Sequence, residues 1–161
     1  MRLIGFNFKK INAEKLSESA QNLKINTGID ISEIREVKST FFKTKEEMVA
    51  VSFDYNISYE PGFAKLNFAG NVLLGVDPKK AKEIFKMWKE EKVPEDFRLA
   101  VFNIILKKSS LRALQLGEEM NLPPHFPLPS IKFNKDSEET IPISESKDLS
   151  GSDEQTPKES E

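Results

Sequence analysis

The stretch "EEMVAVSFDYNISYE", Glu46 to Glu60, limits what this 161-residue chain can fold into more than any other. Val49, Val51, Phe53, Tyr55, Ile57 and Tyr59 share one side of a period of two, and Met48, Ala50, Ser52, Asp54, Asn56 and Ser58 share the other. Six alternating pairs exclude a helix and predict a long strand with one oily face. "EPGF", Glu60 to Phe63, follows as a tight turn with Pro61 and Gly62 in its central places. "FAKLNFAGNVLLGV" then returns as the partner strand, with Ala64, Leu66, Phe68, Gly70, Val72 and Leu74 on the inner face. Upstream, "LIGFNFKKINAE" places Ile4, Phe6 and Phe8 on one face, and "NLKINTGIDISEIREV" alternates Leu23, Ile25, Ile29 and Ile31, with Gly28 as a bulge or twist point. Together these predict a four-stranded, largely antiparallel sheet.

The period then changes. Asp77-Pro78 is a helix start, with a side-chain acceptor at the cap and proline in the first helical position. Ala81, Ile84, Phe85 and Trp88 recur at helical spacing in "KKAKEIFKMWKEEK" opposite a lysine-rich face. "VPED" restarts the chain with Pro94 in a first turn, and a second helix is expected from about Glu95 to Glu119. Phe97, Val101, Ile104 and Ile105 form one stripe on it, and Leu99, Phe102, Leu106 and Ala113 form another, displaced around the axis. A helix apolar on two sides is buried on two sides, and one small sheet covers a single side. The second face therefore calls for another subunit, the following segment or a client.

That following segment, "MNLPPHFPLPSIKF", carries Pro123, Pro124, Pro127 and Pro129 among large apolar residues. Prolines hold a chain extended and remove backbone donors, so it reads as an extended strap along the second helix. From Asn134 onward there are nine acidic residues, three lysines and no aromatic, a charge of −6. Such a segment buries too little apolar surface to offset its ordering entropy and is expected to stay disordered. Residues 1–133 are then the folded domain and residues 134–161 an acidic tail. The domain holds 21 basic and 17 acidic residues, a mildly basic +4. The fold class is α+β: a four-stranded antiparallel sheet, two helices and a C-terminal proline-rich strap.

Catalytic chemistry is hard to assemble from these residues. Cysteine is absent, which removes disulfides and thiolate metal sites. His125 is the lone histidine, without a spaced partner, and reads as a partly exposed residue of the strap in preference to a ligand or pH sensor. The seven glycines are scattered, with no phosphate-cradling cluster. Glu46-Glu47, Glu90-Glu91 and Glu118-Glu119 sit at turns or helix ends, as solvated residues do. No enzyme, cofactor or metal is expected. The N-terminus "MRLIGFNFKK" lacks the apolar block of a signal peptide, and no apolar run reaches membrane-spanning length. A cytoplasmic protein without membrane insertion is the expectation. The adjacent aromatics Phe41 and Phe42 either form an exposed contact or fold back on the sheet edge.

Four strands, a two-sided second helix, a proline-rich strap and an acidic tail form a pattern that resembles the SecB family of export chaperones over roughly residues 4–133. The carriers are Pro123-Pro124, Phe126, Leu128, Pro129, Ile131 and Phe133 in family order, the hairpin from Met48 to Val76, and "INAEKL" followed by "NLKINTGIDI". The resemblance implies a holdase that works without ATP hydrolysis, binds unfolded or nascent segments in apolar grooves, and assembles as a homo-oligomer, dimer or tetramer. It also implies protein transport as the setting. The client-binding residues it marks, together with the exposed aromatics, are Phe41, Phe42, Leu99, Phe102, Leu106, Leu122, Phe126, Leu128, Ile131 and Phe133. The family's acidic motor-docking sheet face is not reproduced, since the outward side of the third strand offers only Asp54 among Ser, Ala and Asn. An alternative use of the +4 domain is an adaptor that places Lys79, Lys80, Lys82, Lys86 and Lys89 against RNA or the ribosome. Salt separates the two, because phosphate contacts weaken steeply with it and apolar capture does not.

Overall fold

The computed structural model describes residues 1–19, 21–38 and 45–129, and Met1–Leu128 makes up one compact unit. Four strands, β1 (Arg2–Lys15), β2 (Lys24–Val37), β3 (Glu47–Glu60) and β4 (Ala64–Val76), precede two helices, α1 (Pro78–Trp88) and α2 (Glu95–Glu119). All neighbouring strands are antiparallel, in the order β1-β4-β3-β2. The strongly alternating β3 and β4 thus occupy the centre. Their inward residues face each other in register: Val49 opposite Leu74, Val51 opposite Val72, Tyr55 opposite Phe68, Ile57 opposite Leu66. A strand buried on its inner side by helices and flanked on both edges needs this uninterrupted apolar set.

The edge strands carry the irregularities. In β2 the sequence pattern pointed to Gly28 as the bulge, but Gly28 pairs in register with Asn56, and the break falls at Ser32 between Ile31 and Glu33. The physical reason is parity. Ile31 lies opposite Phe53 and Ile34 opposite Val51, so two residues three apart must both face inward, and one extra residue must be absorbed between them. The same happens in β1 at Lys9, after which Ile11 and Ala13 lie opposite Phe68 and Leu66. A second break at Ile4 puts Leu3 opposite Leu74, so Leu3 takes the inward place expected for Ile4.

Because β1 and β2 lie at opposite edges, their connection passes the far end of the central hairpin. It is tied there by the Leu16 and Ser17 amides, which both donate to the Phe63 carbonyl, at 2.8 and 3.3 Å. The turn itself differs from a simple Pro-Gly turn. The Glu60–Pro61 peptide is cis, Gly62 has φ 53°, and the Phe63 amide donates to the Tyr59 carbonyl at 2.9 Å.

The helix starts follow local chemistry. Asp77 caps α1, its carboxylate accepting from the Lys79 amide at 2.9 Å, with Pro78 first in the helix. At α2, Pro94 proves to be the cap residue itself and not the first helical residue, and Glu95 and Asp96 supply negative charge to the first turn. Lys80 joins the two helices through Asp96 at 2.9 Å, and this hydrogen-bonded pairing raises the lysine pKa and lowers that of the carboxyl. α1 packs on β2 and β3, and α2 on β2, β3 and β4. The inward side of β1 is left partly open, with Phe6 and Phe8 half-buried against Phe53 and Phe68.

The outward side of the sheet carries Asn7, Asn71 and Ser52 in one row and Asn12, Asn67 and Asn56 in another. Asp30, Glu33 and Arg35 of β2 add charge to that side beyond Asp54, which is more than the third strand alone reveals. No helix of the described residues is long and apolar enough to cross a membrane.

Candidate functional site

Helix α2 places the site. Its buried residues are Phe97, Val101, Ile105, Ser109, Ala113 and Gly117, one in every four. At about 100° per residue each step of four advances the line by about 40°, so the buried face turns through roughly 200° along the helix. The first stripe seen in the sequence is therefore the start of one line that winds around the axis. Ala113, expected on the second stripe, belongs to this buried line. Where the line has not yet turned, the second stripe stays open: Leu99 is 53% and Leu106 43% exposed, with Phe102 half-buried beside them.

Towards its end the buried line shrinks to Ser109, Ala113 and Gly117, and the chain reverses there. Asn121 takes the left-handed conformation (φ 52°), and the Leu122 amide donates back to the Gly117 carbonyl at 2.8 Å. This six-to-one closure satisfies a carbonyl that the helix end would otherwise leave bare, and asparagine stands where glycine is more common. The reversal drops Leu122 into the core. The next residue is held by β3, as the Tyr59 hydroxyl donates to the Pro123 carbonyl at 2.8 Å. Burial raises the Tyr59 pKa, with the charge of a neighbouring Tyr55 phenolate a lesser cause, so the hydroxyl remains a donor throughout the physiological range.

Between the last turns of α2 and this pinned segment lies a groove of about 620 Å³. Leu111, Ala113, Leu114 and Gly117 form its helical wall, Leu122, Pro123, Pro124, His125 and Leu128 the opposite wall, and Tyr59 lies at its base. Gln115 and Glu118 are polar members of the lining. Leu111 and Leu128 remain 56% and 52% exposed, which is apolar surface open to solvent. His125 is half-buried, its ring edge-on to Phe126 at 4.8 Å, with Nε2 buried and lacking a hydrogen-bond partner among the described residues. Burial holds its pKa below the ordinary histidine value.

Of the residues expected to bind clients, Leu122 and Leu128 line this groove. Phe126 stands next to it, exposed and against His125. Leu99, Phe102 and Leu106 lie on the first half of α2 and form a separate apolar strip. Phe41, Phe42, Ile131 and Phe133 lie outside the described residues. The sequence reading missed Tyr59, Leu111, Leu114 and Gly117; His125 is the partly exposed loop residue it was read as, and it also lines the groove. Leu111 and Leu114 fall outside both stripes, so periodicity gave them no role. Tyr59 was visible only as the last inward residue of β3. Among the described residues, no group of three or more His, Cys, Asp or Glu side chains could hold a metal.

Sheet, helices and groove together define an α+β module with an open apolar site at the end of its long helix. In structure the chain is similar to the SecB-like chaperone Rv1957 of Mycobacterium tuberculosis, solved in complex with a ChAD peptide from the Rv1956 HigA1 antitoxin. The match covers 83% of this chain and 91% of that one, at 13% sequence identity and a TM-score of 0.43. No family model matches the chain, and no curated protein does.

Proposed function

We propose that this protein is an ATP-independent, SecB-like holdase that captures unfolded or nascent polypeptide segments in the groove beside α2. The observation that carries the reading is the groove itself: leucine and proline walls left open to solvent beside a packed core. Leucines and prolines recognise apolar side chains without a fixed pattern of donors, so the ligand is an apolar stretch of chain and not a defined small molecule. The strip of Leu99, Phe102 and Leu106 extends the apolar surface available to a long segment. Phe126, at the groove's edge, and Phe41, Phe42, Ile131 and Phe133 complete the proposed contacts. Further copies of the chain, as a dimer or tetramer, are the other partners on this reading, with the outer edge of β1, at one end of the sheet, the place where a second copy would extend it.

The test is suppression of aggregation. An unfolded, aggregation-prone client mixed with the protein without nucleotide should scatter less light at stoichiometric excess, and added salt should change this little. Leu111→Ser with Leu128→Ser should weaken capture at least tenfold without shifting the unfolding midpoint, since both side chains are largely exposed. An absence of suppression by the wild type would refute the proposal. Steep loss of binding with salt would favour the adaptor reading, in which the exposed Lys79, Lys82 and Lys86 of α1 and its cap residue Lys89 meet RNA.

A further inference from the structure

His125 is the chain's only histidine, and its place in the groove is chemically one-sided. The ring forms part of the wall, Phe126 stands edge-on to it, and Nε2 is buried without a partner among the described residues. The groups that face the groove from other elements do not compensate. From β3 comes Tyr59, whose hydroxyl is already engaged by the Pro123 carbonyl. From α2 comes Glu118, an exposed carboxylate that makes no ion pair with His125 among the described residues, while Arg112 and Glu119 border the adjoining depression. A neutral imidazole fits such a wall at modest cost. An imidazolium would place a charge, and an unpaired N–H, against leucine and proline.

The wall that carries His125 is held by few bonds. Residues 120–129 belong to neither helix nor strand. Among the described residues, the Met120, Asn121 and Leu122 amides donate to the Leu116, Glu118 and Gly117 carbonyls of the helix end; beyond Leu122, which is buried, the one tie is the Tyr59 hydroxyl on the Pro123 carbonyl. No ladder or helix has to break for this segment to swing into water, so it can open locally while the sheet stays folded.

We infer that His125 makes the groove acid-sensitive: protonating it releases the segment from Leu122 to Leu128 from α2 and dismantles one wall of the site. The inference assigns a regulation to the groove of the proposed function and rests on that reading for its biological meaning. The direction follows from linkage. Released, His125 has the ordinary histidine value near 6.5; in the groove its value is lower. The closed wall is thus fully favoured above about pH 6.5, and that advantage is lost as pH falls through 6.5 towards the lower value.

The test needs no client, so its outcome is independent of whether the groove binds polypeptide. In the full chain, amide exchange at Leu122 and across residues 120–128 is compared between wild type and His125→Gln at matched pH from 7.5 to 5. The ratio of wild-type to variant exchange should rise by about tenfold per pH unit below 6.5, then level off at the groove value of the imidazole. Strand amides in β3 should show no such change. Since the chain has one histidine, its imidazole resonance can be titrated without assignment, and the plateau should coincide with it. Should His125→Gln fail to fold, the wild-type comparison of residues 120–128 with β3 and the imidazole titration carry the test alone. A flat ratio, an equal response in His125→Gln, or an imidazole that titrates at 6.5 would overturn the inference.

Discussion

Gly70 and Gly28 both sit inside strands, and alanine at each should move stability in opposite directions. A methyl group at Gly70 would stand 2.3 Å from the Asn7 carbonyl oxygen and 2.9 Å from the Phe53 ring. Ordinary contact begins at 3.4 Å, so something must retreat by about 1 Å, and the nearer obstacle is the backbone of β1, not a flexible side chain. Moving β1 disturbs its pairing beside Gly70 and draws Phe6 and Phe8 off Phe53 and Phe68. Overpacking of this kind costs about 1–3 kcal/mol, and weakened aromatic pairs add about 0.5–1.5 kcal/mol each. About 3 kcal/mol is therefore expected for Gly70→Ala. At Gly28 a methyl group would meet nothing within 4 Å. There alanine chiefly restricts the unfolded chain, and Gly28→Ala should stabilise by about 0.4–1 kcal/mol. Urea unfolding, followed by the fluorescence of the single tryptophan, Trp88, measures both. With a urea slope of about 1–3 kcal/mol/M, Gly70→Ala should lower the midpoint by roughly 1–3 M, and Gly28→Ala should raise it slightly. A Gly70→Ala midpoint within a few tenths of a molar of wild type would refute the close approach of β1. So would equal destabilisation of the two variants.

Ser109 lies fully buried in the line of α2 that faces the sheet, and its hydroxyl has no partner among the described residues. Ser109→Ala should accordingly be neutral or stabilise by up to about 1 kcal/mol in thermal unfolding, whereas clear destabilisation would mean that the hydroxyl is satisfied in solution. Tyr59→Phe removes the donor that holds the Pro123 carbonyl, a loss of about 0.5–1.5 kcal/mol. Because that bond ties the groove wall to β3, exchange at the Leu122 amide should speed up about two- to twelvefold while β3 amides stay protected. Unchanged exchange would show that the bond does not hold the wall.

The central hairpin was legible because burial on one face of a strand writes a period of two that nothing else imitates. Val49 to Tyr59 and Ala64 to Leu74 therefore read correctly, residue by residue. The helix boundaries were legible because capping is local: Asp77, Pro78 and the acidic first turn of α2 act within a few residues of themselves. The bulge at Ser32 was present in the spacing of Ile31 and Ile34, yet Gly28 drew attention from it because glycine is the commoner sign of irregularity. Of the residues that line the groove, the sequence reading had named Leu122 and Leu128, as members of the strap and through the family resemblance. Tyr59, Leu111 and Leu114 were not, since their role depends on where the chain turns back after Gly117.

The sequence by itself determined the elements and their faces, because alternation, helical spacing and caps are properties of neighbouring residues. It also determined that the second helix has apolar residues on two sides. Only the tertiary structure decided what those sides do. The order β1-β4-β3-β2 leaves β1 at an edge without a helix over it, and strand order comes from which pairings bury the most, not from any one segment. Along α2 a buried line with a four-residue repeat must wind around a 3.6-residue helix, so the face that is open at Leu99 and Leu106 is core by Ala113 and Gly117. That winding, and the reversal at Asn121 that lays Leu122 to Leu128 beside the helix, turned a proline-rich segment into the wall of a groove.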